Sequence, residues 1–172
     1  GDPSAPTLAF VAAVAVHAAL DAFVGSGGLR IKWPNDIMAG HAKLSGMLME
    51  RVGDAIIIGI GVNILNAPPL PDRMTISLRD LGAAGCDAAA VLEAIARHFA
   101  ALLDQWRTYG TEPIFRAWRE RAHPAGTVLG VQLPDGSRLE GRFETLDGDG
   151  ALILRLADGT SHAIHAGDVF LL

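Results

Sequence analysis

Two lysines and an Asn-Asp pair lie close together early in this sequence. They fall in the segments Lys32-Trp33-Pro34-Asn35-Asp36 and Lys43-Leu44-Ser45-Gly46-Met47-Leu48, and a third segment, Gly59-Ile60-Gly61-Val62-Asn63, follows them. Two neighbouring ammonium groups repel each other unless a carboxylate or an anionic ligand lies between them. Asp36 can balance only one lysine, so these residues predict a site for a phosphate or carboxylate ligand.

The spacing of apolar residues predicts that three strands carry these segments. Residues 29–33 alternate apolar and charged side chains, and Pro34, which has no N–H for a ladder hydrogen bond, stops this strand. Residues 43–52 and 55–65 predict two further strands around a hairpin turn at Gly53-Asp54. The run 55–65 is continuously apolar, so we expect this strand to be buried on both faces.

The register of the predicted hairpin brings the polar residues together. A turn at residues 53–54 places Leu44 opposite Asn63 and Lys43 opposite Ile64. If the strand that ends at Trp33 also pairs with the strand that begins at Lys43, five polar residues converge at one end of the sheet. These residues are Lys32, Asn35, Asp36, Lys43 and Asn63.

Three glycines, Gly46, Gly59 and Gly61, interrupt the predicted strands. Glycine weakens a strand but lets a ligand approach the backbone closely. Each feature also has a plainer interpretation. A lysine at a strand edge is often a solvated charge, an Asn-Asp pair after proline is by default a turn, and closely spaced glycines can mark a bulge. The convergence of all these features favours a binding site.

Helices account for most of the remaining N-terminal residues. Residues 8–20 predict a buried helix that is too short, and too often interrupted by polar residues, to span a membrane. Asp87 caps a long helix that runs to about Tyr109, and a shorter helix follows from Thr111. The long helix carries an apolar stripe of Val91, Leu92, Ile95, Phe99, Leu102, Leu103 and Trp106.

The character of the chain changes near residues 122–126. Short alternating segments separated by Asp-Gly turns predict a meander of about five strands, which is typical of a small closed barrel. Such a unit is too small to be very stable alone, so we expect it to dock on the preceding domain. The predicted domains are residues 1–122 and 123–172.

Composition excludes several classes of function. The net charge of −5 over 172 residues leaves no basic surface for nucleic acid and disfavours anionic membranes. Cys86 is the single cysteine, so neither an intrachain disulfide nor a cysteine-based zinc site can form, which fits a cytoplasmic location. The scattered histidines predict no metal site, since His162 and His165 would face opposite sides of a strand.

The three segments, in their order and spacing, resemble those of the biotin protein ligases, and the similarity extends through both helices and the C-terminal strands. The resemblance implies an α+β fold in which a mixed or antiparallel sheet packs against helices and precedes a small SH3-like barrel. It also implies an ATP-dependent reaction. Biotin and Mg-ATP form biotinoyl-adenylate, and a lysine of a biotin carboxyl carrier protein then accepts the biotinoyl group.

Site roles follow from the resemblance. Lys43 would contact the biotin carboxylate and the α-phosphate as the catalytic residue, while Lys32 and Asp36 would hold the phosphate and metal side. Asn35 and Asn63 would be polar ligands of the nucleotide or metal. The three strand glycines, Gly46, Gly59 and Gly61, would let biotin and the adenylate lie against the sheet.

The sequence departs from the family upstream of its first helix. Biotin protein ligases carry an Arg-Gly-rich loop and further strands there, which this sequence does not contain. Three explanations follow, of which the first two are favoured: the chain is a fragment of a full ligase, its numbering starts after a further segment, or it is a shortened relative. The last gives the alternative function, binding of biotin, nucleotide or a partner without catalysis. A lipoate transferase is a third candidate, although the Lys-Trp-Pro-Asn-Asp segment favours biotin. Absent strands would expose a sheet edge and apolar surface, which is compatible with a homodimer.

Overall fold

The computed structural model describes residues 1–25, 27–83 and 85–172 of the chain. A layer of three helices covers a four-stranded sheet, and a five-stranded sheet follows. The first part contains a short 3-10 turn at Ala5–Thr7, followed by α1 (Leu8–Val24), β1 (Leu29–Lys32), β2 (Asp36–Ala39), β3 (Ala42–Val52), β4 (Ala55–Val62), α2 (Ala88–Tyr109) and α3 (Glu112–Arg121). The second part contains β5 (Val128–Gln132), β6 (Arg138–Leu146), β7 (Leu152–Arg155), β8 (Ser161–Ile164) and β9 (Asp168–Leu171).

The first sheet is antiparallel, in the order β1-β2-β3-β4. Its β3–β4 hairpin confirms the predicted register, since Gly46 pairs with Gly61 and the Asn63 N–H donates to the Leu44 carbonyl oxygen at 3.0 Å. Gly53 makes the turn with a φ of 60°, a left-handed conformation that glycine adopts readily. The hairpin therefore follows directly from local turn chemistry.

The predicted pairing of the first strand with the strand that begins near Lys43 is wrong. Residues 36–39 form β2, which lies between β1 and β3 and pairs with both. A four-residue strand that directly follows a turn is too short to show an apolar period. The inserted strand still returns Asp36 to the sheet end where Lys32 lies, because these two residues are direct partners across β1 and β2.

The prediction that the fourth strand is buried on both faces is also wrong. β4 is an edge strand whose alternate residues are exposed, and Ile57 has 52% of its surface accessible. On the same face of β3, Leu48 and Val52 are 65% and 58% exposed. This apolar, open face and the free edge agree with the expectation of an exposed sheet edge.

Helix α1 forms the centre of the core and packs against α2, α3 and strands β1 to β3. Its buried environment confirms the predicted core helix, but the prediction that this helix is too short to span a membrane is wrong. The helical segment Ala5–Val24 has 20 residues and is long and apolar enough to cross a membrane by length and composition alone. In this fold, 61% of its apolar window is buried inside the protein.

The two later helices begin and end close to the predicted residues. Asp87 caps α2, and its side chain accepts a hydrogen bond from the Ala90 N–H at 2.7 Å. Val91, Ile95 and Trp106 are buried, whereas Leu92, which was predicted in the same stripe, is 67% exposed. In α3, Ile114, Phe115 and Trp118 are buried.

The C-terminal unit confirms the predicted five strands, which pair in the order β8-β7-β6-β5-β9. It shares one hydrophobic core with the helices. The Trp118 and Phe143 rings meet edge to face at 6.2 Å between centroids, and the Trp33 Nε1–H donates to the Gly150 carbonyl oxygen at 3.0 Å. The predicted docking of this unit on the preceding residues is therefore confirmed.

Candidate functional site

Four of the predicted site residues form one row across the first sheet. Lys32 of β1 pairs with Asp36 of β2, Asp36 pairs with Gly46 of β3, and Gly46 pairs with Gly61 of β4. Directly paired residues of neighbouring strands lie on the same face of a sheet. The row therefore places a cation, a carboxylate and two glycines side by side.

Asp36 joins the two lysines. Its Oδ1 atom lies 2.6 Å from the Nζ atom of Lys43, and its Oδ2 atom lies 3.3 Å from the Nζ atom of Lys32. The three side chains are only 14% to 26% exposed, so solvent screens these charges less than it would at an open surface. One carboxylate balances two ammonium groups, which leaves a surplus positive charge in a half-buried position.

A β-bulge in β3 puts Lys43 on the correct face. Ile37 pairs with Ser45 and Met38 pairs with Lys43, so Leu44 is an extra residue on one side of the ladder. In a regular strand, residues 43 and 46 would point to opposite faces, and the bulge removes this alternation. Lys43 can therefore reach Asp36 over the surface of Gly46.

Gly46 supplies the space that the Lys43 side chain occupies. A Cβ atom on Gly46 would lie 2.6 Å from both Cε and Nζ of Lys43, and 3.2 Å from Oδ1 of Asp36. Cβ atoms do not approach other heavy atoms so closely, so any larger residue would push the lysine aside. Glycine at position 46 is thus explained by the Lys43 side chain, which occupies the space that a larger residue would need.

The two predicted asparagine ligands use their amide groups within the protein. The Nδ2 group of Asn35 donates to the Met47 carbonyl oxygen at 2.9 Å. The Nδ2 group of Asn63 donates to the carbonyl oxygens of Lys43 and Ile76, at 3.2 and 3.1 Å. Both side chains therefore hold the backbone around the site.

Gly59 and Gly61 lie on the exposed face of β4. A Cβ atom would come no closer than 3.8 Å to the chain at Gly59 and 3.7 Å at Gly61, which are ordinary contacts. Packing inside the chain therefore does not require glycine at either position. Gly61 belongs to the row described above, whereas Gly59 lies opposite Leu48, two residues farther along the strand.

Sequence reasoning assigned no role to Ser45, which fixes the backbone beside Gly61. Its side chain is 2% exposed, and its hydroxyl donates to the Gly61 carbonyl oxygen at 2.7 Å. The seryl side chain therefore ties β3 to β4 directly next to the row. A serine between Leu44 and the Gly46-Met47-Leu48 segment was the available signal for such a role.

A cleft of about 180 Å³ opens beside the two lysines. The loop 66–73 between β4 and α2 contains Pro68, Pro69 and Pro71 and is called the proline-rich loop here. This loop and the residue after it contribute Asp72–Met74 to the wall of the cleft, and β9 contributes Asp168–Leu171. His41, in the turn between β2 and β3, also lines it. The resemblance places the proline-rich loop 66–73 where family members order a segment over the adenosine, with a plain connector as the alternative. The sequence assigned no site role to His41 or to residues 168–171, because nothing local indicates that a distant C-terminal strand reaches the lysines.

His123 lies behind Lys32, and both residues line a small cavity of about 10 Å³ between the two sheets. Burial lowers the pKa of His123, and the charges of Arg30, His41 and Lys32 act in the same direction. Its Nε2 atom is buried without a hydrogen-bond partner. Burial and the neighbouring charges therefore both disfavour a second positive charge beside Lys32.

The donor set does not fit a metal held by the protein alone. Both oxygens of Asp36 contact lysine ammonium groups. Across residues 1–25, 27–83 and 85–172, no group of three or more His, Cys, Asp or Glu side chains is arranged to hold an ion. A divalent cation at this site would need ligands from its own substrate.

Lys32 and Lys43 are the only lysines in the sequence, and all the other residues in the combined count of lysine and arginine are arginines. An ammonium group is a compact charge on a flexible stem, whereas a guanidinium group is a rigid fork. The site therefore uses the one type of cation that the rest of the protein does not. Amine-specific chemistry can report on this site almost without background.

Two family descriptions match the chain. The Biotin/lipoate A/B protein ligase family matches residues 3–120, and the biotin protein ligase C-terminal domain matches residues 130–172. Together they cover both sheets and all three helices.

Individual relatives agree with these matches. The biotin–[acetyl-CoA-carboxylase] ligase of Paracoccus denitrificans is 36% identical, over 99% of this chain and 75% of that protein. The ligase of the same name from Mycobacterium tuberculosis is 33% identical, over 81% of this chain and 52% of that protein. The chain thus spans about half the length of one relative and three quarters of the other.

A solved structure supports the fold. The biotin protein ligase of Aquifex aeolicus in complex with biotin and ATP superimposes with a TM-score of 0.85 at 20% identity, covering 98% of this chain and 73% of that one. These matches confirm the resemblance predicted from the three segments. The chain belongs to the biotin/lipoate A/B protein ligase family, together with the biotin protein ligases.

Proposed function

We propose that this chain carries the adenylating site of a biotin protein ligase. Its relatives are named as biotin–[acetyl-CoA-carboxylase] ligases. The observation that carries the proposal is the placement of both lysines of the chain on the single carboxylate of Asp36, beside an open cleft. This arrangement offers a surplus positive charge to an anionic substrate.

In the first step, a carboxylate oxygen of biotin attacks the α-phosphorus of ATP. The new carboxyl–phosphate bond forms biotinoyl-adenylate, and the bond to the leaving pyrophosphate breaks. Negative charge builds up on the phosphate oxygens during this exchange, and fixed cations lower the energy of such a transition state. Lys43 supplies this cation, and Asp36 and Gly46 hold its ammonium group in place.

In the second step, a neutral lysine amine of an acceptor protein attacks the carbonyl carbon of the adenylate. An amide bond forms, AMP leaves with the bonding electron pair, and the amine gives up a proton. The carbonyl oxygen becomes negative on the way, so the same Lys43 charge assists this step as well. We propose a biotin carboxyl carrier protein as the acceptor.

The remaining residues hold and shape the site in this proposal. Lys32 and Asp36 form the phosphate side of the row, and Asn35 and Asn63 order the backbone that the nucleotide contacts. Gly59 and Gly61 let biotin and the adenylate lie against β4, whereas the space over Gly46 is taken by the Lys43 side chain, so the ligand role predicted for Gly46 becomes the positioning of Lys43. Mg²⁺ would arrive bound to the phosphates of ATP, where it would add charge neutralisation, since the part of the chain that the structure describes holds no metal ligand set.

The proposal also includes a division of the chain into two domains. Residues 1–122 form the catalytic part and residues 123–172 the SH3-like part, which closes the cleft with β9. The protein acts in the cytoplasm on a protein substrate, without nucleic acid or membrane as partners. The exposed edge of β4 is the surface through which two copies would form a homodimer.

The test is the release of pyrophosphate from Mg-ATP, with and without biotin. We expect biotin-dependent release by the chain, and a loss of at least about 100-fold in the Lys43→Ala variant. Arg51→Ala is the matched control, because Arg51 is an exposed cation at the far end of the same strand. It should retain full release.

The opposite result is equally informative. If the folded chain releases no pyrophosphate but binds biotin or ATP in calorimetry, it acts as a binding protein without catalysis. Replacing biotin by lipoate in the same assay tests the third candidate, and release with lipoate alone would contradict the assignment to biotin.

A further inference from the structure

Arg73 of the proline-rich loop lines the same cleft as Lys32 and Lys43. The cleft is bounded on one side by the two lysines and on the other by Asp168–Leu171 of β9. Arg73 is therefore a third cation at this opening, contributed by a segment that is distant from both lysines in the sequence.

The backbone of this loop is bound firmly to the site. The Lys43 N–H donates to the Met74 carbonyl oxygen at 2.9 Å, and the Ile76 N–H donates to the Lys43 carbonyl oxygen at 3.1 Å. The Thr75 hydroxyl donates to the Pro68 carbonyl oxygen at 2.5 Å and closes the loop on itself. Arg73 thus directly precedes a segment that is hydrogen-bonded to the backbone of Lys43.

Among the residues that the structure describes, the guanidinium group of Arg73 pairs with Asp72, a local and exposed partner. Its Nη2 and Nε atoms donate to Oδ2 of Asp72 at 2.6 and 3.0 Å. The two side chains are 47% and 57% exposed, and ion pairs of this kind contribute little to stability. This pair is therefore not needed to hold the fold, and an anion in the cleft can replace the carboxylate.

The carboxylates around Arg73 support a guanidinium group that faces the site. The hydrogen bonds that Arg73 donates to Asp72 raise the pKa of Arg73, and the charges of Asp36 and Asp168 act in the same direction. Asp168 lines the cleft itself, and Asp36 contacts the two lysines that line it. The guanidinium group therefore lies near carboxylates from both the first sheet and β9.

We propose that Arg73 binds the outer phosphates of the nucleotide, and that Asp72 is the internal partner that holds the guanidinium group when no nucleotide is bound. The inference rests on the proposed function, and it identifies an additional substrate-binding residue for it. A guanidinium group can bind two phosphate oxygens at once, which gives stronger and more directional contacts than an ammonium group.

The test measures binding of inorganic tripolyphosphate, which carries the phosphates of ATP without the base and sugar. Titration calorimetry at fixed ionic strength compares the chain with Arg73→Ala and with Arg51→Ala, whose arginine also lies beside an aspartate in a turn. We expect Arg73→Ala to weaken binding about tenfold, as for the loss of one charge-assisted contact, and Arg51→Ala to have little effect.

Asp72→Asn provides a second, opposite prediction. Removing the internal partner should strengthen tripolyphosphate binding, and this gain should disappear in the double variant Asp72→Asn/Arg73→Ala. Asp168→Asn, which removes a carboxylate from the same cleft without a hydrogen bond to Arg73, corrects for the general change in charge.

Three results would overturn the inference. These are equal binding by Arg73→Ala and the parent chain, a gain in Asp72→Asn that persists in the double variant, and no binding of tripolyphosphate by the folded parent chain. The biotin-dependent release of pyrophosphate by the parent chain is measured separately. A failure of the proposed function is therefore distinguishable from a failure of the role of Arg73.

Discussion

The side chain of Lys43 lies directly over the Cα atom of Gly46. A Cβ atom at position 46 would be 2.6 Å from both the Cε and the Nζ atoms of the lysine. The space that a side chain would fill on β3 is thus filled by the ammonium group of the proposed catalytic residue. This contact, rather than backbone freedom, explains the glycine.

Gly46→Ala should separate stability from activity. The alanine methyl group meets the flexible end of a lysine, which can move aside, so we expect the melting temperature to change little. The displaced ammonium group would lose its 2.6 Å contact with Asp36. Because small misplacements of a catalytic group are costly, biotin-dependent pyrophosphate release should fall about 100-fold.

Gly28→Ala is the control for this substitution, since a Cβ atom there meets nothing within 4 Å. It should retain both stability and pyrophosphate release. Unchanged pyrophosphate release by Gly46→Ala would show that Lys43 does not need the space over Gly46 for its function.

Asn63 is expected to stabilise the site through its two donated hydrogen bonds. Asn63→Ala leaves the carbonyl oxygens of Lys43 and Ile76 without these donors, and should lower the free energy of unfolding by about 1–2 kcal/mol. Asn63→Asp should be worse, because a carboxylate presents oxygens to two carbonyl oxygens. Chemical denaturation measures both effects, and unchanged stability in both variants would favour a role in ligand binding alone.

Gly150 should be essential for docking of the C-terminal unit. Its φ is 89°, and a Cβ atom would lie 2.5 Å from Cε2 of Phe10, a buried ring of α1. We expect Gly150→Ala to lower the free energy of unfolding by about 2–4 kcal/mol, since the fold must accept both overpacking and backbone strain.

Gly148→Ala, in the same turn, is the matched control, because a Cβ atom there meets nothing within 4 Å. Thermal unfolding followed by circular dichroism compares the two variants. Equal melting temperatures would contradict close packing between Gly150 and Phe10.

His17 should make the protein less stable in mild acid. Burial lowers its pKa, although its hydrogen bond to the Leu29 carbonyl oxygen acts in the opposite direction. The carbonyl oxygen requires a proton on Nε2, and the buried Nδ1 has no partner for a second proton. The unfolded chain therefore binds protons more readily, and stability falls as the pH drops below the ordinary histidine pKa of about 6.5.

The measurement for His17 is the urea midpoint at pH 7.5 and at pH 5.5. His17→Gln keeps a donor for the Leu29 carbonyl oxygen but cannot titrate, so the difference between the two midpoints should shrink. His123 contributes in the same sense, because burial also lowers its pKa, and the double variant His17→Gln/His123→Gln should reduce the difference further. An undiminished difference in the double variant would contradict this origin.

The sequence by itself determined the local elements and the chemical nature of the site. The register of the β3–β4 hairpin follows from the turn at Gly53, and the start of α2 follows from its cap at Asp87. These features depend on neighbouring residues only, which is why local patterns predict them. The segments around Lys32 and Lys43 likewise carried the resemblance that the family matches confirm.

Only the tertiary structure decided how the site is assembled. The bulge at Leu44 turns Lys43 onto the face of Asp36, and the short strand β2 separates strands that were predicted to pair. The proline-rich loop and β9 then bring Arg73 and Asp168 to the same cleft. Bulges and contacts between distant segments depend on packing of the whole chain, and the period of a single strand does not encode them.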